Sequence, residues 1–220
     1  MHHHLKRRDH QQKIYKIVKV DMEKLDLKKA YKSYFSAKQT PELFYFEPIW
    51  YLMLQGKGEP GGNEFQRATQ ALFPLAYTIK KTCKTDGKDF RVAPLEALWW
   101  TEGSLPASKV PKQNWHWKLM VRMPDFVDEL LFKTALAETL KKKKIPLLNA
   151  VSFEQLCEGK CAQILHVGAY SEEQPTIDLL HGFIHKNNLS LNGFHHEIYL
   201  NNPRKTPVEK LKTIIRQPLK

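Results

Sequence analysis

The residues best placed to do chemistry lie in the segment His195–Tyr199, which reads as a β-strand near the C-terminus. Side chains alternate along a strand, so His195, Glu197 and Tyr199 share one face while His196 and Ile198 share the other. We expect the second face to lie under helices and the first to line a cleft. A carboxylate kept partly dry in a cleft has a raised pKa and can act as a general base toward water.

A second carboxylate, Glu96, lies on an equivalent strand within Pro94–Trp100. By the same alternation, Glu96 and Trp100 are expected to face the cleft and Trp99 the core. A bulge after Pro94 would reverse this assignment, so both tryptophans remain candidate cleft residues. Glu96 and Glu197 could then approach one cleft from two sides.

Aromatic side chains accompany both strands. The candidate ligand-binding residues are Tyr199, Tyr170, Trp99, Trp100, Trp117 and His195. Aromatic walls around a carboxylate hold flat or cationic organic molecules by stacking and cation–π attraction. The alternative is that these rings pack in the hydrophobic core and that Glu197 is an ordinary exposed strand residue. The five tryptophans of the chain are also well suited to a core.

Other chemistries find no support in the sequence. The Gly-rich segment Gly56–Gly62 lacks the Gly-Lys-Ser/Thr of a phosphate loop. Adjacent histidines on a strand point to opposite faces, so His195 and His196 cannot chelate one metal ion together. The three cysteines have no C-x-x-C spacing, and no Ser–His–Asp arrangement can be singled out. We expect neither a metal nor a cofactor.

An internal repeat organises the elements that carry these residues. Three pairs of segments match in the same order, namely Leu54–Pro60 with Leu165–Tyr170, Pro94–Trp100 with His195–Leu200, and Met120–Pro124 with Ile214–Pro218. Each unit reads as a strand, a Gly-bearing turn, a helix and two strands. The repeat predicts an α+β fold in which two β-α-β-β units form one antiparallel concave sheet, with helices on one face and a central ligand cleft.

The predicted boundaries follow from the repeat. Residues 1–40 form a basic N-terminal arm, in which histidines 2–4 come from a purification tag or are native, and residues 41–220 form a single domain. Within that domain the repeats span about 41–123 and 151–218, joined by a helix at about 124–144. We expect Asn63 to cap the first helix of the repeat and Pro74 to bend it or end it early.

The amino-acid composition limits the classes of molecule that the chain is expected to bind. The 220 residues include 35 basic and 23 acidic side chains, for a net charge of +12. Residues 41–203 hold 18 of each sign, so the excess lies at the two ends and disfavours nucleic-acid binding by the core. The longest aromatic-apolar run, Ile49–Leu54, is far shorter than the roughly 20 residues that cross a bilayer. The free-cysteine pattern and the lack of a signal-peptide core predict a cytoplasmic protein, and no signal specifies an oligomeric state.

The C-terminal segment Gly193–Pro218 resembles the GyrI-like small-molecule-binding (effector-binding) family. Pro94–Trp100, Trp117–Arg122 and Glu158–Tyr170 support the resemblance, which spans about residues 20–218. The resemblance implies a duplicated β-α-β-β (SHS2-type) fold with a central cleft. It also implies a small aromatic or cationic organic ligand, because a buried glutamate of the family's drug-responsive members meets cationic drugs, and Glu197 occupies the matching strand.

Stand-alone members of the family similar to this chain include cyclopropanoid cyclopropyl hydrolases, which detoxify DNA-alkylating compounds by opening their strained ring with water. On that resemblance Glu197 would orient or deprotonate the water, Glu96 would assist, and Tyr199, Tyr170, Trp99 or Trp100 would stack on the substrate. Two alternatives remain, a non-catalytic module that binds or sequesters drugs and a gyrase-inhibitor-like protein-interaction role. About 40 residues precede the first core strand, too few for a winged-helix module, so a direct transcription-factor role is not expected.

Overall fold

The computed structural model describes residues 23–220. Its strands are β1 (Leu25–Asp26), β2 (Glu42–Phe46), β3 (Ile49–Lys57), β4 (Phe90–Arg91), β5 (Leu95–Trp100), β6 (His116–Arg122), β7 (Ser152–Leu156), β8 (Gly159–Val167), β9 (His195–Tyr199) and β10 (Lys212–Pro218). Its helices are α1 (Leu27–Ala30), α2 (Lys32–Phe35), α3 (Asn63–Thr85), α4 (Glu129–Lys142) and α5 (Gln174–Lys186). This composition confirms the α+β prediction.

Eight strands form one antiparallel sheet in the order β2-β8-β10-β9-β5-β6-β3-β7. The unit β3-α3-β5-β6 and the unit β8-α5-β9-β10 therefore lie side by side, and they meet at β5 and β9 in the middle of the sheet. The short strand before each unit pairs with the other unit, β2 with β8 and β7 with β3. The strand before each unit is thus the edge strand of the other unit, and the two units share one sheet and one core.

Helix α3 runs without a break through Pro74, so the prediction that this proline would end the helix early is wrong. The helix is held from both sides, by the sheet and by α4, and its buried face includes Ala71, Leu72 and Leu75 around the proline. Packing of this face outweighs the backbone hydrogen bond that a proline removes. The helix begins at Asn63 with Gly62 in the cap position, so Asn63 does not cap it.

Both faces of the sheet are covered. Helices α3 and α5 lie on one face, where Ile215 packs with Leu180 and Ile184 of α5. The segment from Leu27 to Phe35 covers the other face, and its Leu27 and Tyr34 belong to the same buried cluster as Ile198.

The long helices lie on the face opposite to the expected one. Glu197 pairs directly with Ile215, so it shares the α5 face, while Ile198 lies under the N-terminal segment. The alternation of side chains was predicted correctly, but the prediction that Ile198 would lie under the helices is wrong, because a second layer covers the apolar side of β9. No helix within residues 23–220 is long and apolar enough to cross a membrane.

Candidate functional site

The candidate site is centred on Glu197, in the middle of β9 where the two units meet. Its Oε1 lies 3.1 Å from Nε2 of His195, and the Tyr199 hydroxyl donates to its Oε2 at 2.6 Å. The indole N–H of Trp99, on the adjacent strand β5, donates to the Tyr199 oxygen at 3.2 Å. With only 13% of its side chain exposed, the carboxylate is held in one orientation by its strand neighbours.

The charge on this carboxylate is stabilised by its neighbours. Burial raises the pKa of Glu197, but the hydrogen bonds from His195 and Tyr199 outweigh burial and hold the pKa below its usual value. Burial and the nearby Glu197 charge raise the pKa of Tyr199 well above its usual value, so its hydroxyl stays a donor. Glu197 is thus ionised at neutral pH, whereas desolvation alone predicts a raised pKa.

Aromatic rings from both units lie on the same side of the sheet as the carboxylate. Phe65, near the start of α3, stacks on Trp99 with ring centres 5.8 Å apart, and Trp117 meets Phe65 edge-on. Tyr170, in the turn before α5, meets Tyr199 edge-on at 5.5 Å. Tyr170 is 37% exposed, so this ring lies at the surface of the protein. This arrangement suits a flat organic molecule that stacks on rings and meets a negative charge.

A glycine makes room for one of these rings. A Cβ added at Gly56 on β3 would lie 2.2 Å from the ring of Trp117, its direct partner on β6. Only a residue without a side chain therefore lets the Trp117 indole lie flat across β3. The indole is 1% exposed and forms the floor beneath Phe65.

A second carboxyl group, Glu173, belongs to this site and was missed in the sequence. It lies directly before α5 and is 6% exposed, and the charge of the neighbouring Glu197 acts on its carboxyl group. Burial and the Glu197 charge together raise the pKa of Glu173 to about 9. No sequence signal marked Glu173, because it precedes the predicted helix and its approach to β9 is a contact between distant segments.

The structure brings most of the predicted residues together. Those on the Glu197 side of the sheet or at its edge are Glu197, Tyr199, His195, Trp99, Trp117 and Tyr170. Trp100 is not among them, because it lies on the other face, stacked on His116 and Phe194. The expectation that Trp100 would face the cleft and Trp99 the core is therefore reversed: Trp99 shares the Glu197 face and Trp100 does not.

Glu96 also lies on the other face, so the expectation that Glu96 and Glu197 approach one cleft is wrong. The residue opposite Glu197 on β5 is Ala97, and one step along a strand reverses the direction of the side chain. Glu96 is fully buried, accepts a hydrogen bond from the Tyr34 hydroxyl, and lies 3.1 Å from Nε2 of His196. Tyr34 separates Glu96 from solvent, so Glu96 has a structural role and lies outside the candidate site.

Glu96 belongs to a buried polar network that joins the N-terminal segment to the sheet. Nδ1 of His196 lies 2.9 Å from Glu158, whose other oxygen accepts from Arg216 at 2.9 Å. Arg216 also donates to the backbone carbonyl of Tyr34 at 3.0 Å. Burial raises the pKa of Glu158, but the charges of His196 and Arg216 lower it to about 2. Burial lowers the pKa of His196, but Glu158 and Glu96 raise it to about 9. Opposite charges therefore compensate one another inside the core.

Within residues 23–220, no three His, Cys, Asp or Glu side chains cluster closely enough to hold a metal ion.

Comparison with known proteins identifies the fold and its family. The GyrI-like small molecule binding domain matches residues 39–220, and no curated protein matches the chain. An uncharacterized conserved protein from Listeria innocua is 39% identical, with a TM-score of 0.84 over 90% of this chain and 100% of that one. A hydrolase from Listeria innocua is 38% identical, with a TM-score of 0.79 over the same shares. The C-terminal domain of EcmrR, at 12% identity and a TM-score of 0.53 over 82% of this chain and 97% of that one, shares the fold alone. Since the match covers most of the chain, this protein belongs to the GyrI-like small-molecule-binding domain family.

Proposed function

We propose that this small-molecule-binding protein is a hydrolase that adds water to the cyclopropane ring of flat, DNA-alkylating compounds and so detoxifies them in the cytoplasm. The observation that carries the proposal is an ionised carboxylate, Glu197, oriented by two hydrogen-bonding neighbours and walled by aromatic rings. The 38% identity to a protein described as a hydrolase supports the same reaction class.

In the proposed reaction Glu197 accepts a proton from a water molecule that lies against its exposed edge. The water oxygen bonds to the methylene carbon of the cyclopropane, and one ring carbon–carbon bond breaks. The electron pair of that bond moves through the conjugated ring to its carbonyl oxygen, which takes a proton from solvent. Glu197 then returns its proton to solvent, so the net change is the addition of one water.

The aromatic walls supply binding and orientation. A flat substrate between Trp99 and Tyr170 would present its strained ring to Glu197, and relief of strain drives the reaction once water is positioned. General-base assistance of this kind contributes about 10²–10⁴-fold to a rate. The Tyr199 hydroxyl keeps the carboxylate fixed toward the water.

The test is incubation of the purified protein with a cyclopropane-bearing alkylating indole, following the gain of one water by mass spectrometry. We expect multiple turnovers by the wild type and a loss of about 10²–10⁴-fold in rate for Glu197→Gln, with binding retained. Glu172→Gln, an exposed carboxylate in the turn beside the site, is the matched control and keeps the wild-type rate.

Tight binding by the wild type without conversion would contradict the hydrolase proposal and identify a sequestering protein. Equal rates for wild type and Glu197→Gln would leave hydrolysis standing but remove Glu197 as its base.

A further inference from the structure

We propose that Glu173 determines the charge of the binding site, by carrying a proton that an aromatic cation expels when it binds beside Glu197. The proposal rests on the placement of the ligand at Glu197 in the proposed function, but it does not depend on hydrolysis. It couples the binding of a flat organic cation to the release of this proton.

The geometry places two carboxyl groups in one small, buried space. Glu173 is 6% exposed and lies three residues after Tyr170, whose ring meets that of Tyr199, the residue that donates to Glu197. Two neighbouring carboxylates cannot both stay ionised away from water, so the pair holds one proton between them. The His195 and Tyr199 hydrogen bonds stabilise the charge on Glu197, and the proton therefore resides on Glu173.

One oxygen of Glu173 is left free for a ligand. Its Oε1 is buried and has no hydrogen-bond partner among residues 23–220. Glu173 occupies the cap position of α5, yet its side chain makes no capping hydrogen bond to the helix. An unpaired buried polar atom is costly, and here it lies beside the carboxylate where a ligand would bind.

The surrounding charges do not remove this proton. The titratable and charged groups that face Glu173 from neighbouring elements are Glu197 and Tyr199 of β9, Tyr170 of the preceding turn, and Lys112 of the β5–β6 connection, while His195 of β9 pairs with Glu197. Lys112 favours the charged form of Glu173, but its effect on the pKa is small. Burial and the Glu197 charge outweigh it and raise the pKa to about 9.

A permanent cation between the aromatic rings changes this balance. An opposite charge within about 4–6 Å lowers a carboxyl pKa by about 1–3 units, which takes Glu173 from about 9 to about 6–8. At pH 8 binding would then release about 0.4–0.9 protons per ligand. A neutral ligand of the same shape has no such effect and leaves the proton in place.

The experiment is isothermal titration calorimetry at pH 8 with N-methylacridinium, a flat permanent cation, and with acridine, which is neutral at that pH. Each titration is run in phosphate and in Tris, whose different ionisation enthalpies reveal the protons released. We expect about 0.4–0.9 protons per N-methylacridinium, none for acridine, and an affinity for the cation about 5- to 50-fold higher at pH 9 than at pH 7.

Glu173→Gln keeps the shape of the side chain and cannot ionise. We expect this variant to bind N-methylacridinium without proton release and with an affinity independent of pH from 7 to 9, while its unchanged affinity for acridine shows that it is folded. Glu172→Gln removes an exposed carboxylate one residue away and retains the wild-type proton release.

Equal proton release by wild type and Glu173→Gln, no release by the wild type, or no binding of N-methylacridinium would each overturn the proposal. These results are independent of ring opening, so the hydrolase proposal can fail while proton-coupled binding stands, and the reverse also holds.

Discussion

At the scale of single residues, two neighbouring buried glutamates have pKa values that are shifted in opposite directions. Glu197 receives hydrogen bonds from His195 and Tyr199, and its pKa is lowered, whereas Glu173 faces the resulting charge and its pKa is raised to about 9. Pairs of carboxyls whose surroundings separate their pKa values are typical of acid–base sites. Residue type alone does not distinguish the two roles, because both are buried glutamates.

The Tyr199 hydroxyl is predicted to set the acidic limb of the pH–rate profile. Tyr199→Phe removes the hydrogen bond to Glu197 Oε2 and with it one cause of the lowered pKa. We therefore expect the acidic limb of kcat/KM for ring opening to move to higher pH. The measurement is the pH–rate profile of the two proteins, and superimposable acidic limbs would contradict the role of this hydroxyl.

Glu173 is also predicted to make stability depend on pH. Its pKa is about 9 in the folded protein against a usual value of 4.5, so the folded state binds more protons between these two values. The stability from this group is fully present below pH 4.5 and is lost as the pH rises through 9. Glu173→Gln removes this loss. We therefore expect the melting temperature of the variant, relative to that of the wild type, to rise steadily from pH 5 to pH 9 in thermal scans. A constant difference over that range would show that Glu173 titrates normally.

At the scale of elements, the site depends on how closely α3 and the strands approach the Trp117 ring. Phe65 of α3 lies above this ring, and Gly56 of β3 lies beneath it with no side chain. Helix α3 continues through Pro74, and its buried residues lie on both sides of the proline. The floor of the site is thus built from a helix of the first unit and two of its strands.

Gly56→Ala is predicted to displace this floor. The new Cβ would meet ring atoms of Trp117 at 2.2 Å, so the indole or the strand must shift, at a cost of about 1–3 kcal/mol. The matched control is Gly182→Ala in α5, where the added Cβ meets nothing within 4 Å and is expected to stabilise the helix by about 0.4–1 kcal/mol. Urea denaturation measures both, and equal free energies of unfolding for the two variants would contradict the close packing at Gly56.

At the scale of the whole molecule, one buried network holds three parts of the chain together. The N-terminal segment contributes Tyr34, the first unit contributes Glu96, and the second unit contributes His196 and Arg216. Glu158, in the turn before β8, links the last two. This network lies on the face of the sheet opposite to the candidate site.

Arg216→Met is predicted to destabilise the whole fold. It removes the cation that pairs with Glu158 and the hydrogen bond to the Tyr34 carbonyl, leaving a buried charge undercompensated. Breaking one partner of a buried ion pair costs about 3–5 kcal/mol. Arg91→Met, which breaks the ion pair of an exposed arginine with Asp26, is the control and costs about 0–1 kcal/mol. A similar, small loss in both variants on urea denaturation would show that the network contributes nothing to stability.

The sequence by itself determined the repeat, the order of elements within each unit and the alternation along β9, so it placed His195, Glu197 and Tyr199 on one face. These features are local, because a strand alternates its side chains whatever surrounds it. Tertiary structure alone decided that Ala97 rather than Glu96 lies opposite Glu197, that the helices cover the Glu197 face, and that Glu173 completes the site. Register and layering are set by contacts between distant segments, and a one-residue difference in register reverses every side chain. For the same reason the pKa values of Glu173 and Glu197 follow from which groups the fold brings against them.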